Sequence, residues 1–595
     1  LRGYSAVGDL YLDGMRDIAQ YNREVFNMSQ IDVLRGAASM LFGRGSTGGI
    51  INQVSKTPLP VDRNDVSLTA GSYNYKRATA DLNRVLAEGS ALRLNLMKTD
   101  TDSYRDGVHQ ERWGVAPSLS IGDGSDNQFI FAYYYLKEDN VPDYGVPYFN
   151  GRPLAVPVNR FYGLANADYE RNETGIATAT YVHKFNTDTD LKTVVRKADY
   201  DRDLRATAPR LLGAPALITD STALNRQRQA RGGDEHTVTV QSDLTTRLKT
   251  AGINHQVLAG VEYVHEKAHR WTNSSALANP ATTVGDPNPN PPLPPGFDDS
   301  FARTGDNYYT ARTIGFYAQD IVELTSAWKL VLGARHDDFS ADYDRPAPAG
   351  PLNRRDKVWS SRAGVLFQPG DVVTYYASYG TAFNPSAEMY QLDDRGTATP
   401  PEKSRNMELG VKWELLDGNL SARTTLFRSQ KTNERNTDLS VSVEQNLLSG
   451  KRHTDGIEFE VTGRLTADWQ VFGALALMKA RIDAATGQQA NTLGLIPLNT
   501  PKYTYSMWST YALGGGWKVG GGFDGAGLRY GQNADTTAAP AYTRWDALVE
   551  YEKDRYAVRL NALNLFNRDY YEGVYQGHVV PGVKRSLQLT FSARF

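Results

Sequence analysis

Arg35-Gly-Ala-Ala-Ser-Met-Leu-Phe-Gly-Arg-Gly-Ser-Thr-Gly-Gly-Ile-Ile-Asn52 is a glycine-rich run that leads into Val54-Ser-Lys-Thr-Pro58. Past it the sequence changes character. From Leu59 to Phe595 it consists of short alternating segments broken by turn residues, so something small and glycine-rich precedes something long and built of strands. The reading developed from this stretch is that the first plugs the second.

Within residues 1–58, strand-like pieces at Asp9–Asp13, Gln30–Leu34 and Ile50–Val54 are separated by glycine-rich turns, and Val25–Gln30 and Ala37–Leu41 are each expected to supply a short helix. This describes a small mixed α/β unit. From Asp65 onward the pattern is alternation. Leu92-Arg-Leu-Asn-Leu96 puts three leucines on one face and Arg93 and Asn95 on the other, and Tyr556–Ala562 does the same with Arg559 and Asn561 on the polar face. At the C-terminus Leu587, Leu589, Phe591, Ala593 and Phe595 alternate with Ser586, Gln588, Thr590, Ser592 and Arg594. About ten residues is the length a tilted strand needs to cross a bilayer.

Short turn signals fall at 87–90, 122–126, 186–190, 249–252, 323–326, 368–371, 416–418, 465–468, 514–516 and 552–555. Between them lie longer polar insertions near 102–112, 139–172, 201–235, 269–310, 340–357, 381–403, 430–452, 482–501, 531–541 and 567–583, plus a tight one at 72–75. About ten short turns alternating with about eleven loops imply about 22 antiparallel strands, with short connections on one side of a membrane and long ones on the other. A propeller would repeat at roughly 40 to 50 residues, and no such repeat is present. The proline-rich run Asp286–Pro295 suits an exposed loop and not a strand. A barrel this wide has a lumen its own side chains cannot fill, so it must be plugged or leak. The fold class is therefore a transmembrane β-barrel with a small mixed α/β N-terminal plug domain inside the lumen, divided as plug 1–58, linker 59–64 and barrel 65–595.

Composition agrees with this architecture. The 595 residues carry 65 Lys+Arg against 67 Asp+Glu, a net charge of -2, which offers no electrostatic case for a nucleic-acid partner. Tyrosine, at 34 residues, outnumbers phenylalanine at 20, as expected of strands at an interface where one end of the ring is apolar and the other wet. There is no cysteine, which excludes disulfides and thiolate zinc sites. No apolar run is long enough for a transmembrane helix. A mean hydropathy of -0.49 does not contradict a membrane barrel, which shows lipid only every second residue. The abrupt opening Leu1-Arg-Gly-Tyr4 is expected to follow unseen upstream sequence.

Ile31-Asp-Val-Leu-Arg-Gly-Ala-Ala-Ser-Met-Leu-Phe-Gly-Arg-Gly-Ser-Thr-Gly-Gly-Ile-Ile-Asn-Gln-Val-Ser-Lys56 resembles the second half of the plug of TonB-dependent outer-membrane receptors. Asn561-Ala-Leu-Asn-Leu-Phe-Asn567 and the terminal Phe595 resemble the last two strands of that family. Ala37 departs from the family's usual proline. The TonB box and the first half of the plug lie outside the sequence given. Within the family, Tyr11–Asp17, Asn22–Asn27 and Asn140–Pro147 are most similar to ferric catecholate siderophore receptors. The resemblance implies a monomeric transporter in the bacterial outer membrane, surrounded by its lipid and not an enzyme. It would import a ferric siderophore, expected to be a catecholate, and be energised by the TonB-ExbB-ExbD complex through an unseen N-terminal TonB box. Iron arrives already chelated, so no cofactor and no protein metal ligand are expected. A hydroxamate siderophore, cobalamin or a carbohydrate would fit the same architecture; an outer-membrane enzyme is the reading from another class.

By that resemblance Arg16, Asp17, Gln20, Tyr21 and Arg23, in the loop after the second plug strand, are siderophore-binding candidates. Arginine offers charge-assisted hydrogen bonds and tyrosine a stacking face to an anionic aromatic ligand. Tyr144, Tyr148, Tyr162 and Trp271, in long loops, either complete the pocket or belong to the interfacial aromatic girdle. Arg2 and Arg35 are expected to pair with barrel Glu408 and Glu458, an ion-pair cluster that holds the plug in register. Two motif matches are set aside. His265-Glu-Lys-Ala-His269 fits H-E-x-x-H, but it continues a strand pattern, on which residues four apart are separated by roughly 13 Å, too far to share one zinc. Gly43–Gly48 fits G-x-G-x-x-G but precedes a strand and not the helix a dinucleotide site needs.

Overall fold

The computed structural model describes residues 1–46, 48–386, 397, 399–435, 447–485 and 487–595. Parts of the long insertions expected at 381–403, 430–452 and 482–501, and Thr47 of the G-x-G-x-x-G match, lie outside the described residues.

The plug is a four-stranded mixed sheet of β1 (Leu10–Leu12), β2 (Met15–Arg16), β3 (Met28–Arg35) and β4 (Gly49–Ser55), in the order β2-β1-β4-β3, with one short helix, α1 (Ser39–Phe42). β1 and β4 are parallel; the other two pairs are antiparallel. Tyr11, Met15, Met40 and Ile50 are buried where sheet and helix meet the wall. The helix expected at Val25–Gln30 does not form. Met28 instead pairs with Ser55 and opens β3, while Phe26 stacks on Tyr134 of the wall with ring centroids 5.7 Å apart. Strand pairing and wall contact outweigh a weak local preference over so short a segment.

Among the described residues, 22 antiparallel strands close around this unit, from Arg63–Gly71 to Ser586–Arg594, and these two pair to seal the cylinder. The first strand starts two residues before the expected boundary at Asp65. Alternation takes the anticipated sense: Leu92, Leu96, Leu587, Leu589 and Phe591 are exposed on the outside, whereas Arg93 and Asn95 are buried inside. Trp328, Trp469 and Trp517 each open a strand immediately after a short turn, which places them in the inner interfacial girdle.

Two of the long insertions are largely strand. Thr189–Leu211 pairs with Ala223–Thr250, and Ile253–Ser274 with Ala302–Glu323, so the regions expected as loops at 201–235 and 269–310 continue as hairpins above the membrane. Outside lipid a paired strand needs no apolar face, so polarity there was misread as loop. The outer loops fold on one another: Val146, Leu154, Tyr162, Leu224, Val284, Val574 and Val579 form a buried cluster. The ribbons Val146–Phe149 and Arg152–Pro153 join Tyr571–Val574 and His578–Pro581 in a small sheet above the lumen.

Candidate functional site: the plug–wall interface and the outer vestibule

The plug is held by opposite charges on its two sides. On one, Arg2 donates to Glu408 at 2.6 Å and Glu458 at 2.7 and 3.1 Å, and also to Asn406, while its guanidinium lies 4.1 Å over the Phe427 ring. Arg35 hydrogen-bonds Glu460 and lies 3.8 Å from Glu458. Burial alone would lower both guanidinium pKa values. Glu458 and Glu408 more than offset this for Arg2, which ends up raised, but not for Arg35, which stays lowered. Gly36 has φ 84°, and a Cβ there would come within 2.6 Å of Asn406 and 2.8 Å of Glu408, so the Arg35-Gly36 pair lets the backbone approach the wall as no other residue would. Glu460 and its second partner Arg423 escaped the sequence reading. Glu460 shares the inward parity of Glu458, which is the signal that could have found it. Arg44, just after α1, pairs with Glu266 on the wall.

On the other side the charges reverse. Asp13 accepts from Arg196 at 2.7 Å, and Glu24 lies between Arg77 at 2.8 Å and Arg112 at 3.1 Å. Lys56 of the plug breaks the segregation by pairing with Asp81 at 2.9 Å on the strand that carries Arg77, so the fixed set of opposed charges, not one sign per side, specifies the plug's rotation in the lumen.

The loop from Asp17 to Asn27 faces the end where the barrel loops are long. Asp17 is 3% exposed and accepts from Tyr21 at 2.7 Å, from Tyr200 of the wall at 3.0 Å and from Arg23 at 3.2 Å. Arg23 also donates to the Asp17 and Ala19 carbonyls and stacks 4.4 Å over Tyr21. Burial disfavours its charge, yet Asp17 holds its pKa above the usual arginine range; Tyr21 is pushed well above a free phenol, chiefly by burial and then by Asp17. Gln20 bonds Arg202, and the Asn22 amide donates to Glu138 at 3.1 Å. Arg16 turns inward: it donates to the Gly8 carbonyl at 2.9 and 3.1 Å and lines a cavity of about 30 Å³ with Asp17, Arg44, Arg196 and Tyr200, room for a water or two.

The aromatic candidates separate. Tyr144 lies 5.2 Å from the His578 ring and Tyr148 donates to the Tyr575 carbonyl, both in the outer loop layer. Tyr162 is fully buried, with its hydroxyl on the Val284 carbonyl at 2.9 Å, so it belongs to the core of that layer and not to a ligand surface. Trp271 is on the strand Ile253–Ser274 and not in a loop; it stands on the outward parity with Lys267 and His269, under the Arg303 guanidinium at 4.5 Å. His265 and His269 occupy the same strand, and His269 bonds Asp234 and Asp306. Among the described residues no group of three His, Asp or Glu is placed to hold a metal ion. Gly43 follows α1 and Gly48 precedes β4, a strand and not the helix a dinucleotide site needs.

Comparison with known proteins agrees with this geometry. Residues 112–565 match the family described as TonB dependent receptor-like, beta-barrel. The chain is 31% identical over its whole length to the probable TonB-dependent receptor BfrD of Bordetella pertussis, covering 85% of that protein. It is 29% identical to the catecholate siderophore receptor Fiu of Escherichia coli K12, covering 84% of it. The crystal structure of the siderophore receptor PiuA from Acinetobacter baumannii superposes with a TM-score of 0.90 at 26% identity, over 100% of this chain and 90% of that one. A closed barrel around an ion-paired plug, joined to these matches, identifies the chain as a bacterial outer-membrane protein of the TonB-dependent receptor family.

Proposed function

We propose that this receptor binds a ferric siderophore of the catecholate type between the plug loop Asp17–Asn27 and the outer loops, and passes it inward when the TonB-ExbB-ExbD complex draws on the plug. The observation that carries the reading is the Arg23–Tyr21 pair, a cation stacked on a ring and rooted in buried Asp17 on the outward side of the plug. An anionic, aromatic ferric catecholate complements both, through charge-assisted hydrogen bonds and ring contact. The names of the relatives support the same class: Fiu is a catecholate siderophore receptor and PiuA a siderophore receptor. Tyr144 and Tyr148, in the layer above, are the aromatic residues proposed to meet the ligand from the opposite side.

The coupling follows from the hydrogen-bond network. Asp17 is shared between the plug's Arg23 and Tyr21 and the wall's Tyr200. A ligand that draws Arg23 outward changes what Asp17 offers Tyr200, so occupancy alters the plug–wall contact. Ligand shifts that equilibrium only by the difference in its affinity for the two arrangements. The ion pairs deeper in the lumen keep the plug seated until force is applied from the periplasm. Iron enters as the ligand's own chelate, so the protein needs no cofactor and catalyses no reaction; it functions as a monomer in its lipid. Titration of the purified receptor with ferric catecholate and, separately, ferric hydroxamate, followed by tyrosine and tryptophan quenching, tests the assignment. Saturable quenching by the catecholate alone is expected. A response only to the hydroxamate, or to neither, overturns it.

A further inference from the structure

The wall's pairing breaks off between two strands, each of which stays paired along its other side. Leu352–Phe367 pairs with Trp328–Asp344 over its whole length, and Val373–Asn384 with Glu402–Leu415 over its whole length. Between the two, the ladder runs only from Phe367 opposite Tyr375 to Arg362 opposite Gly380, six residues on each strand. A crossing strand needs about nine to eleven residues, so this ladder ends within the membrane. Beyond it the plug takes the neighbour's place. Gly45 and Phe383 form an antiparallel bridge in which the Gly45 N–H donates to the Phe383 carbonyl at 2.9 Å. The Phe383 N–H donates to Ser39 Oγ at 3.3 Å, and the Ser39 hydroxyl donates to the Gly45 carbonyl at 2.8 Å, completing the bridge through a side chain. The N–H and C=O of one residue point to the same side of an antiparallel strand, so the plug occupies the edge that Leu352–Phe367 leaves.

The divergence is marked at two residues. Thr381 offers its side-chain hydroxyl to the Ser361 N–H, at 2.8 Å, where the ladder stops. Gly380, just before it, admits the plug backbone, because a Cβ there would lie 2.9 Å from the Ala37 carbonyl oxygen. Extension of the same register would place Thr381 opposite Ser361 and Phe383 opposite Trp359. Phe383 has the outward parity of Tyr375 and Tyr379, which are exposed, yet it is itself 1% exposed, whereas Trp359 is 70% exposed. Paired, the two rings would meet on the outer surface, a favourable cross-strand contact.

We infer that Thr381–Asn384 is a strand segment with two partners: the plug residues Ser39 and Gly45 while the plug is seated, and Trp359–Ser361 of the wall when the plug withdraws. The hydrogen bonds exchange one for one. Phe383 leaves the Gly45 N–H and Ser39 Oγ for the Trp359 N–H and carbonyl, and the Ser361 N–H passes from the Thr381 hydroxyl to the Thr381 carbonyl. The seated plug adds burial of Phe383; the closed wall adds its contact with Trp359. Backbone groups facing lipid must be satisfied, and in this scheme they are in both states. The plug seals the seam at rest and the strand seals it during passage. The inference rests on the proposed movement of the plug and not on the identity of the cargo.

The chain has no cysteine, so the variant Trp359→Cys/Phe383→Cys reports the second partner by forming a disulfide. Residues directly opposite in an antiparallel pair lie about 5.5 Å apart, within disulfide reach. The purified receptor is oxidised in detergent across a urea series that ends where heat-modifiable mobility on a gel is lost and the barrel unfolds. Release of the plug is followed by hydrogen exchange of β3 and β4. Cross-linking is expected to be slow without urea and about tenfold faster or more once the seated population is depleted. Adding Ser39→Ala, which removes the relay to Phe383, is expected to speed it about fivefold without urea. In the unsubstituted chain the Trp359 amide is expected to gain protection as β3 and β4 lose it, a reversal that general loosening would not produce. The control Leu366→Cys/Tyr376→Cys, already opposite in the ladder, should cross-link throughout. Cross-linking of 359 to 383 at the control's rate with the plug seated overturns the inference. So does its absence at every urea concentration below barrel unfolding, or loss of Trp359 protection together with the plug. No ligand is used, so failure of the siderophore titration leaves the result untouched.

Discussion

Replacing Arg2 by methionine keeps much of the stem but removes the guanidinium that joins Glu408 and Glu458 to the plug. The Arg2 side chain is 2% exposed, so no water is at hand to replace it. Glu458 would be left with Arg35, which lies 3.8 Å away and is already engaged by Glu460, and Glu408 with the neutral Asn406 amide at 2.7 Å. Removing one partner of a buried ion pair costs about 3 to 5 kcal/mol, because the remaining charge stays buried without compensation. Partial rescue by Arg35 favours the lower end, about 3 kcal/mol, which corresponds to roughly a 150-fold rise in the open-plug population. Hydrogen exchange of the purified receptor reads this directly. Amides of β3 and β4 should exchange about two orders of magnitude faster while barrel amides stay protected. Liposomes carrying the variant should admit small sugars that the parent excludes. Adding Glu458→Gln, which removes one stranded charge, should recover part of the protection. Unchanged protection of β3 and β4, or equal loss from plug and barrel, would refute the reasoning that this cluster seats the plug.

Arg23→Gln should weaken ferric catecholate binding by tenfold or more, since charge-assisted hydrogen bonds contribute about 1.5 to 3 kcal/mol, with the melting temperature little changed; equal affinity in the titration would remove Arg23 from the site. Asp17→Asn should free the outward loop, seen as faster exchange confined to residues 17–27, because Tyr21, Tyr200 and Arg23 all lose a charged acceptor. Arg44→Met should leave Glu266 stranded and raise exchange around α1, with Glu266→Gln restoring it in the double variant. The outer loop layer should loosen in acid. Burial, reinforced by Arg210, holds the His578 pKa at about 3, below the ordinary 6.5. Below pH 6.5 the opened layer takes up a proton that the closed one refuses, so closure is fully stable above that pH and loses about 2 kcal/mol by pH 5. Spin labels on the ribbons at 146–149 and 578–581 should separate between pH 7.5 and 5, and His578→Phe should abolish the change.

What was legible in the sequence follows from which forces act locally. The period-two pattern of segments such as Leu92–Leu96 and Ser586–Phe595 is imposed by lipid on one side and polar lumen on the other, so strand number and facing could be read from single stretches. The plug strands at Asp9–Asp13, Gln30–Leu34 and Ile50–Val54 were legible for a similar reason, since short runs of Leu, Tyr, Ile and Val next to glycine turns have few alternatives. Where the environment is water on both sides the pattern vanishes, and the hairpins built on Thr189–Leu211 and Ile253–Ser274 were misread as loops. The sites are less legible because they are long-range. The pairing of Arg2 and Arg35 with glutamates more than 350 residues away came from resemblance, and Glu460, Arg423, Arg196 and Glu138 were missed because nothing local marks a wall residue as the partner of a plug residue. Tyr162 and Trp271 were misplaced because a tyrosine or tryptophan in a polar stretch carries no record of whether its ring meets ligand, core or the outer surface.

The central claim is that this plugged barrel is an active importer of iron bound to a catecholate. Accumulation of radioactive iron from a ferric catecholate by cells whose only receptor for it is the full-length protein, with and without TonB, tests that claim most directly. Saturable uptake that vanishes when TonB is deleted is the expected result. Uptake that persists without TonB, or none from any catecholate despite a folded receptor in the outer membrane, would contradict it.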